Sequence, residues 1–286
     1  MAKLTPRALD HVVFPVPDLE VARARYEQLG FTVAPDGRHK FGTENACVKF
    51  ADGAFIEPLA IGHRETVEAH MVKGNNFLRR DASYRFRHGN NGFWGVSLST
   101  KDSAADRKML RKAGYNTGKL VTVKRKGVHA RLSFALDERA PDFSIFMCQD
   151  MMEAPVFKAE LLSHANGAKG ISRVTLCEHL PEDFQYYLQT ATGQREVRSH
   201  SFGMDMALSN VTLSVLNAEG MNQYYGVSDI LETRGLRAQA IDVEVKNLKT
   251  MEEILSENSI SFRQIGPRLI VDPAKGQGAL IAFVEG

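Results

Sequence analysis

Apolar and polar positions along the chain switch repeatedly between a period of two and a helical period. Leu9-Asp10-His11-Val12-Val13-Phe14 reads as a strand in which Leu9, His11 and Val13 share one face. Leu19, Ala22, Tyr26 and Leu29 then form an apolar helical stripe. Asp18 stands at the start of that helix, where its oxygen can cap, and Gly30 at its end, where left-handed backbone is needed. The segment 9–31 aligns without gaps on 93–115, an offset of 84 positions that places Asp18 on Asp102, Arg23 on Arg107, Gly30 on Gly114 and Phe31 on Tyr115. The same order of elements recurs from Ile171, with Phe184, Tyr187, Leu188 and Ala191 on one helix face, and from Ala240, with Met251, Ile254 and Leu255.

Short strand-like runs follow each helix, so the pattern predicts an α+β chain of four βαβββ modules, at roughly 8–60, 93–149, 170–217 and 237–285. Modules taken in pairs give two halves, 1–149 and 170–286, divided near 150–169, where His164-Ala165-Asn166-Gly167 reads as a boundary turn. The stretch 61–92 is then a long connection. Gly276-Gln277-Gly278 reads as a hairpin turn, since no helix follows it as a phosphate loop requires.

One residue breaks the apolar pattern. Glu57 lies within Ala54-Phe55-Ile56-Glu57-Pro58-Leu59, after the turn dipeptide Asp52-Gly53, and shares a strand face with Phe55 and Leu59. A carboxylate there is costly to bury without a partner. His11 takes the matching place in the first strand, so the two predict a divalent-metal pair if both faces meet in one cavity; an ion pair of Glu57 with Arg131 is the structural alternative. His39 is the third candidate, in a segment with Gly42, Thr43 and Asn45 that brings an imidazole, a hydroxyl and an amide together. Its alternative is an ordinary polar turn. Trp94, the single tryptophan, is either a pocket wall or core, and Met151-Met152 either cavity lining or packing.

These residues carry a resemblance. Leu9-Asp10-His11-Val12-Val13, Val16-Pro17-Asp18-Leu19, Leu29-Gly30-Phe31, Gly37-Arg38-His39, Phe41-Gly42-Thr43-Glu44-Asn45-Ala46 and Phe55-Ile56-Glu57-Pro58-Leu59 resemble the glyoxalase-like branch of the vicinal oxygen chelate superfamily. Phe93-Trp94-Gly95 and His164-Ala165-Asn166-Gly167-Ala168 resemble it too. The resemblance implies two glyoxalase/extradiol-dioxygenase-like half-barrels, a divalent metal held by His11 and Glu57, catalytic roles for His39 and Glu57, and substrate contacts from Thr43, Asn45, Trp94 and Arg131. It implies a metal-assisted isomerase or lyase acting on a small oxygen-rich substrate. A non-catalytic binding or sequestering protein and an extradiol-type dioxygenase are the alternatives. The chain departs from the superfamily's pattern in one respect. Gly95 matches His11, the run Ser144-Ile145-Phe146-Met147 matches Glu57 without an acid, and the later modules offer Arg173 with Ser214 and Ala240 with Ala282. A second ligand pair is missing, which counts against an iron site of two histidines and a carboxylate.

Composition changes this picture little. A net charge of +2 over 286 residues gives no footprint for nucleic acid, and Lys124-Arg125-Lys126 is too short a basic run to make one, reading instead as a solvated loop or strand end. No apolar stretch is long enough to span a membrane, and the first residues lack the apolar core of a secretion signal. Cys47, Cys148 and Cys177 are isolated, as in proteins of a reducing compartment, so a cytoplasmic location is expected. The expected partner is a small molecule, with no nucleic acid and no membrane, and a homodimer is left open.

Overall fold

A computed structural model describes residues 5–152, 158–228 and 233–286. The first module is built from β1 (Leu9–Pro15), α1 (Leu19–Gln28), β2 (Gly37–Arg38), β3 (Thr43–Asn45), β4 (Val48–Lys49) and β5 (Phe55–Ile61). Two helices follow, α2 (Arg64–Val72) and α3 (Asn76–His88), in the stretch read from sequence only as a connection. The second module has β6 (Gly95–Ser99), α4 (Ser103–Lys112), β7 (Val121–Arg125), β8 (Val128–Ala135) and β9 (Ser144–Asp150). The third has β10 (Ala168–Cys177), α5 (Gln185–Thr192), β11 (Arg198–His200), β12 (Gly203–Ala207) and β13 (Thr212–Leu216). After α6 (Ala218–Tyr225), the fourth has β14 (Arg237–Val245), α7 (Leu248–Glu257), β15 (Arg263–Ile265), β16 (Arg268–Val271) and β17 (Leu280–Glu285).

The expected α+β architecture of paired βαβββ modules is what the chain adopts. In every module the first strand runs parallel to the last: β1 with β5, β6 with β9, β10 with β13 and β14 with β17. Modules join through their first strands, antiparallel, giving a nine-stranded sheet ordered β2-β3-β5-β1-β6-β9-β8-β7 with β4 beside β5, and an eight-stranded sheet ordered β11-β12-β13-β10-β14-β17-β16-β15. Helix ends follow the local chemistry. Asp18 and Asp102 accept hydrogen bonds from backbone N–H groups of the first turns of α1 and α4.

Pleating sorts the strand residues into two layers. Val12, Phe14, Ile56, Val96, Leu98, Ile145 and Met147 face a large apolar core that continues into the second half through Leu188, Val243, Met251 and Ile281. Leu9 joins this layer instead of sharing the face of His11, because the β1–β6 register shifts between Leu9 and His11. Val13, Leu59, Leu132, Phe134 and Phe146 cover the opposite, concave face, closed at one end by Phe77 and Leu78 of α3.

Polar contacts tie the halves together. The Tyr187 hydroxyl donates to the carbonyl of Ala135 (2.9 Å), and Tyr26 donates to the carbonyl of Gln277 (2.7 Å). Gln277 lies in the expected turn, is fully buried, and accepts from Arg25. Gly30 has φ +81°, and a Cβ there would stand 2.8 Å from that of Asn166. Asn166 donates to the carbonyl of Leu29 (2.8 Å) and accepts from the N–H of Ala168 (3.0 Å). Asn166→Ala would leave these buried groups unpaired, so it is expected to cost about 2 kcal/mol by urea denaturation with an unchanged m value; an unchanged midpoint would show that this contact carries no stability.

Candidate functional site

The concave face of the nine-stranded sheet encloses a cavity of about 360 Å³. Period-two projection from β1 and β5 brings His11 and Glu57 to its wall, where both are buried, 6% and 4% exposed. His11 Nε2 stands 3.5 Å from Glu57 Oε2. Asp10 accepts from the other ring nitrogen, Nδ1. Asn45, from β3, donates to Glu57 Oε1 at 2.5 Å, and Arg125, at the end of β7, donates from Nη2 to Asn45 Oδ1 at 3.3 Å. One polar chain thus runs Asp10–His11–Glu57–Asn45–Arg125 and joins both modules of the half. Phe55 stacks on the His11 ring at 4.5 Å and Phe146 meets it edge-on at 5.4 Å, so the dyad sits between aromatic walls.

Burial and charge compete at this pair. Desolvation pushes the Glu57 carboxyl above its usual range, against the opposing pull of His11, Asn45 and Arg125. Burial alone would lower His11, but the hydrogen bond to Asp10 and the charges of Asp10 and Glu57 outweigh it and leave the imidazole raised. The two groups therefore compete for protons in a site screened from water. Burial also raises Cys47 to about 12 and Cys148 well above the usual range for a thiol, so both cavity cysteines are held as thiols.

The other sequence-predicted residues divide into two groups. His39 reaches the cavity, with its Nδ1 2.9 Å from the Thr43 hydroxyl and its ring stacked on Phe41 at 4.8 Å. Asn45 reaches it as well, whereas Thr43 stands behind His39, bonded to its ring. Met152 is cavity lining. Trp94 and Arg131 do not line the cavity. Trp94 is core: it packs behind Phe77 and Phe146 and donates from Nε1 to Asp81 at 3.1 Å. Arg131 alternates with Ala130 and Leu132, which do face the cavity, so its position is on the other side of β8. The arginine close to Glu57 is Arg125, which sequence reasoning had taken into a solvated basic run. The signal was available in the alternation Val121, Val123, Arg125, whose two valines are buried on the concave face.

The missing second pair also has a structural explanation. Val13 pairs with Glu57, and Ser97, at the offset of 84 from Val13, pairs with Phe146. Phe146 thus takes the position that corresponds to Glu57, and fills it with a ring. In the C-terminal half, Arg173 and Ser214 do meet, in a polar cluster with Asp205. There Arg268 bonds Asp242 at 3.0 Å and Tyr225 of α6 donates to the same carboxylate at 2.7 Å.

The donor set fits a divalent ion as two neighbouring ligands. Bonds of about 2.0–2.2 Å place adjacent donors roughly 3 Å apart, close to the 3.5 Å between His11 and Glu57. Each also has the outer hydrogen-bond partner that ligands usually carry, Asp10 and Asn45. Among the described residues, no group of three or more His, Cys, Asp or Glu is disposed to hold an ion. The remaining coordination positions would fall to water and substrate oxygens.

A sequence model described as a glyoxalase-like domain matches residues 9–192. A search of the curated proteins finds no match. Solved structures of the same fold include a hypothetical protein from Staphylococcus aureus, 14% identical, covering 98% of this chain and 99% of that one with a TM-score of 0.68. A Mn(II)-bound glyoxalase from Novosphingobium aromaticivorans is 11% identical, covering 98% of this chain and 82% of that one with a TM-score of 0.61. The 2,2',3-trihydroxybiphenyl 1,2-dioxygenase of Sphingomonas wittichii is 12% identical, covering 99% and 91% with a TM-score of 0.54.

His39 supplies a test of the site's electrostatics. Burial first, then the positive charges of Arg125 and His11, push its imidazole down to about 3. The unfolded chain, with an ordinary histidine near 6.5, binds the extra proton between these values. Stability from this group is therefore complete above about pH 6.5 and falls as the pH drops toward 3. His39→Gln, which cannot titrate, should reduce the loss of stability between pH 7.5 and 5 by about 1–2 kcal/mol in urea denaturation. Equal losses in the two proteins would mean that His39 is solvated.

Proposed function

The chain belongs to the glyoxalase-like domain family, and we propose that it is an enzyme, an isomerase or lyase that moves a proton on a small oxygen-rich organic substrate held in the N-terminal cavity. The observation that carries the reading is the buried His11–Glu57 pair, 3.5 Å apart, opening onto that cavity.

Glu57 is the base in this reading. Its carboxyl is raised by burial, which strengthens it as a proton acceptor near neutral pH. Asn45 fixes one of its oxygens and leaves the other toward His11. Asp10 sets the tautomer of His11 by taking the Nδ1 proton, so Nε2 is the nitrogen directed at Glu57. A divalent ion held by His11 and Glu57 would polarise a substrate carbonyl as a Lewis acid. His39 is kept neutral. In the tautomer whose Nδ1 accepts from the Thr43 hydroxyl, Nε2 carries the proton and can donate to an oxygen on which charge develops. A proton taken by Glu57 is returned to substrate at the adjacent atom in an isomerisation, or passes to a leaving group in an elimination, and it exchanges with solvent while Glu57 holds it.

Binding without turnover is the second reading, favoured by Gly95 and Phe146 in the positions that match His11 and Glu57. Three free buried cysteines agree with a cytoplasmic location. Among the described residues no helix is long and apolar enough to cross a membrane.

Solvent-deuterium incorporation into hydroxypyruvate, phenylpyruvate and dihydroxyacetone, followed by proton NMR, reads proton abstraction whatever the final product. The wild-type protein, supplied with Mn(II), should accelerate exchange in at least one probe, and Glu57→Gln should lower that rate about 100-fold while the circular dichroism spectrum stays the same. Probes that bind with no exchange above buffer would support binding without turnover instead.

A further inference from the structure

Arg125 is the cavity group that the proton-transfer reading leaves unexplained. Its side chain crosses from the end of β7 to the first module and lies against Gly37 and Asn45. The fit depends on a missing side chain, because a Cβ on Gly37 would stand 1.7 Å from Arg125 Nη1 and 2.3 Å from Cζ. The guanidinium is thus held in a slot, with Nη2 spent on Asn45. Its Nε is buried and has no hydrogen-bond partner. An unpaired buried N–H is costly, and more so on a charged group. Among the described residues, no carboxylate lies within ion-pair distance of Arg125, although Asp10, Glu57 and Asp150 line the same cavity. Phe41, Phe55, Phe77, Val123 and Leu132 supply the apolar walls.

We infer that Arg125 is the anion-recognition residue of the cavity, and that the ligand is a small organic acid whose carboxylate pairs with the guanidinium while its apolar or aromatic body lies against the phenylalanine walls. A planar carboxylate matches the edge of a guanidinium, whose donors are fixed in one plane. The arrangement also gives the ligand one orientation. Asn45 links Arg125 to Glu57, so an acid anchored at Arg125 directs its adjacent carbon atoms toward the His11–Glu57 pair. The inference rests on the cavity being the functional site, and binding alone tests it, without turnover.

The probes are benzoate, its uncharged isostere benzamide, and phenylphosphonate, titrated calorimetrically into the full chain at pH 7. Benzoate is expected to bind at least about tenfold more tightly than benzamide, and Arg125→Gln to abolish that preference with the circular dichroism spectrum unchanged. Arg125→Lys should keep part of the preference, since it retains the charge and loses the planar edge. Gly37→Ala should weaken benzoate as Arg125→Gln does, by displacing the guanidinium. Glu57→Gln should retain benzoate binding even where proton exchange is lost, which separates a failure of the chemistry from a failure of the recognition. Benzoate binding that is undetectable in the wild-type protein, unchanged in Arg125→Gln, or weaker than that of phenylphosphonate would overturn the assignment of a carboxylate to Arg125.

Discussion

The N-terminal half is organised around a carboxylate that an apolar sheet has to accommodate. Glu57 lies on the concave face of β5 between aromatic and aliphatic side chains, where an isolated charge would be costly. The structure meets that cost with neighbours on both sides, His11 at one oxygen and Asn45 at the other. Each neighbour is itself held, His11 by Asp10 and Asn45 by Arg125. The parallel pairing of β1 with β5 is what makes this possible, because it sets Val13 opposite Glu57 and so brings His11 within reach. The antiparallel joining of β1 to β6 then places the second module across the cavity, so that β7 can return Arg125 to the first.

The pseudo-symmetry of the modules sets the His11–Glu57 pair against positions that carry other residues. At the corresponding place in the second module, Phe146 replaces the acid and becomes a wall of the first module's site. In the C-terminal half, two arginines, two aspartates and Tyr225 satisfy one another, and Tyr224 of α6 covers Arg268 at 5.0 Å. The charges of this cluster are thus set against one another. The N-terminal chain of polar groups ends instead at the unpartnered Nε of Arg125.

Much of this was legible in the sequence, because strand and helix periods and the Asp and Gly at helix ends are local signals. They locate the modules, and they single out Glu57 as a carboxylate in an apolar run. The strand pattern also gives His11 the matching place, and the resemblance supports the pair. What was not legible depended on register or on distant packing. A bulge moves Leu9 off the face of His11. The connection after β5 holds two helices, and Phe77 of the second lines the cavity. Arg131 lies off the cavity because a single step of register separates it from Ala130 and Leu132, which line it, and Trp94 lies on the concave side but behind Phe77 and Phe146. Arg125 was hidden by its basic neighbours, although the valines two and four residues before it mark its face.

In the proposed function, His11 and Glu57 form the place where an ion and a substrate meet. A crystal structure of the protein grown with Mn(II), with an anomalous difference map, tests it most directly. One cavity peak is expected within about 2.3 Å of both His11 Nε2 and Glu57 Oε2, with the rest of its coordination made by water or ligand oxygens. A map with no peak there, in which His11 and Glu57 remain in direct contact while Mn(II) occupies other sites, would contradict it.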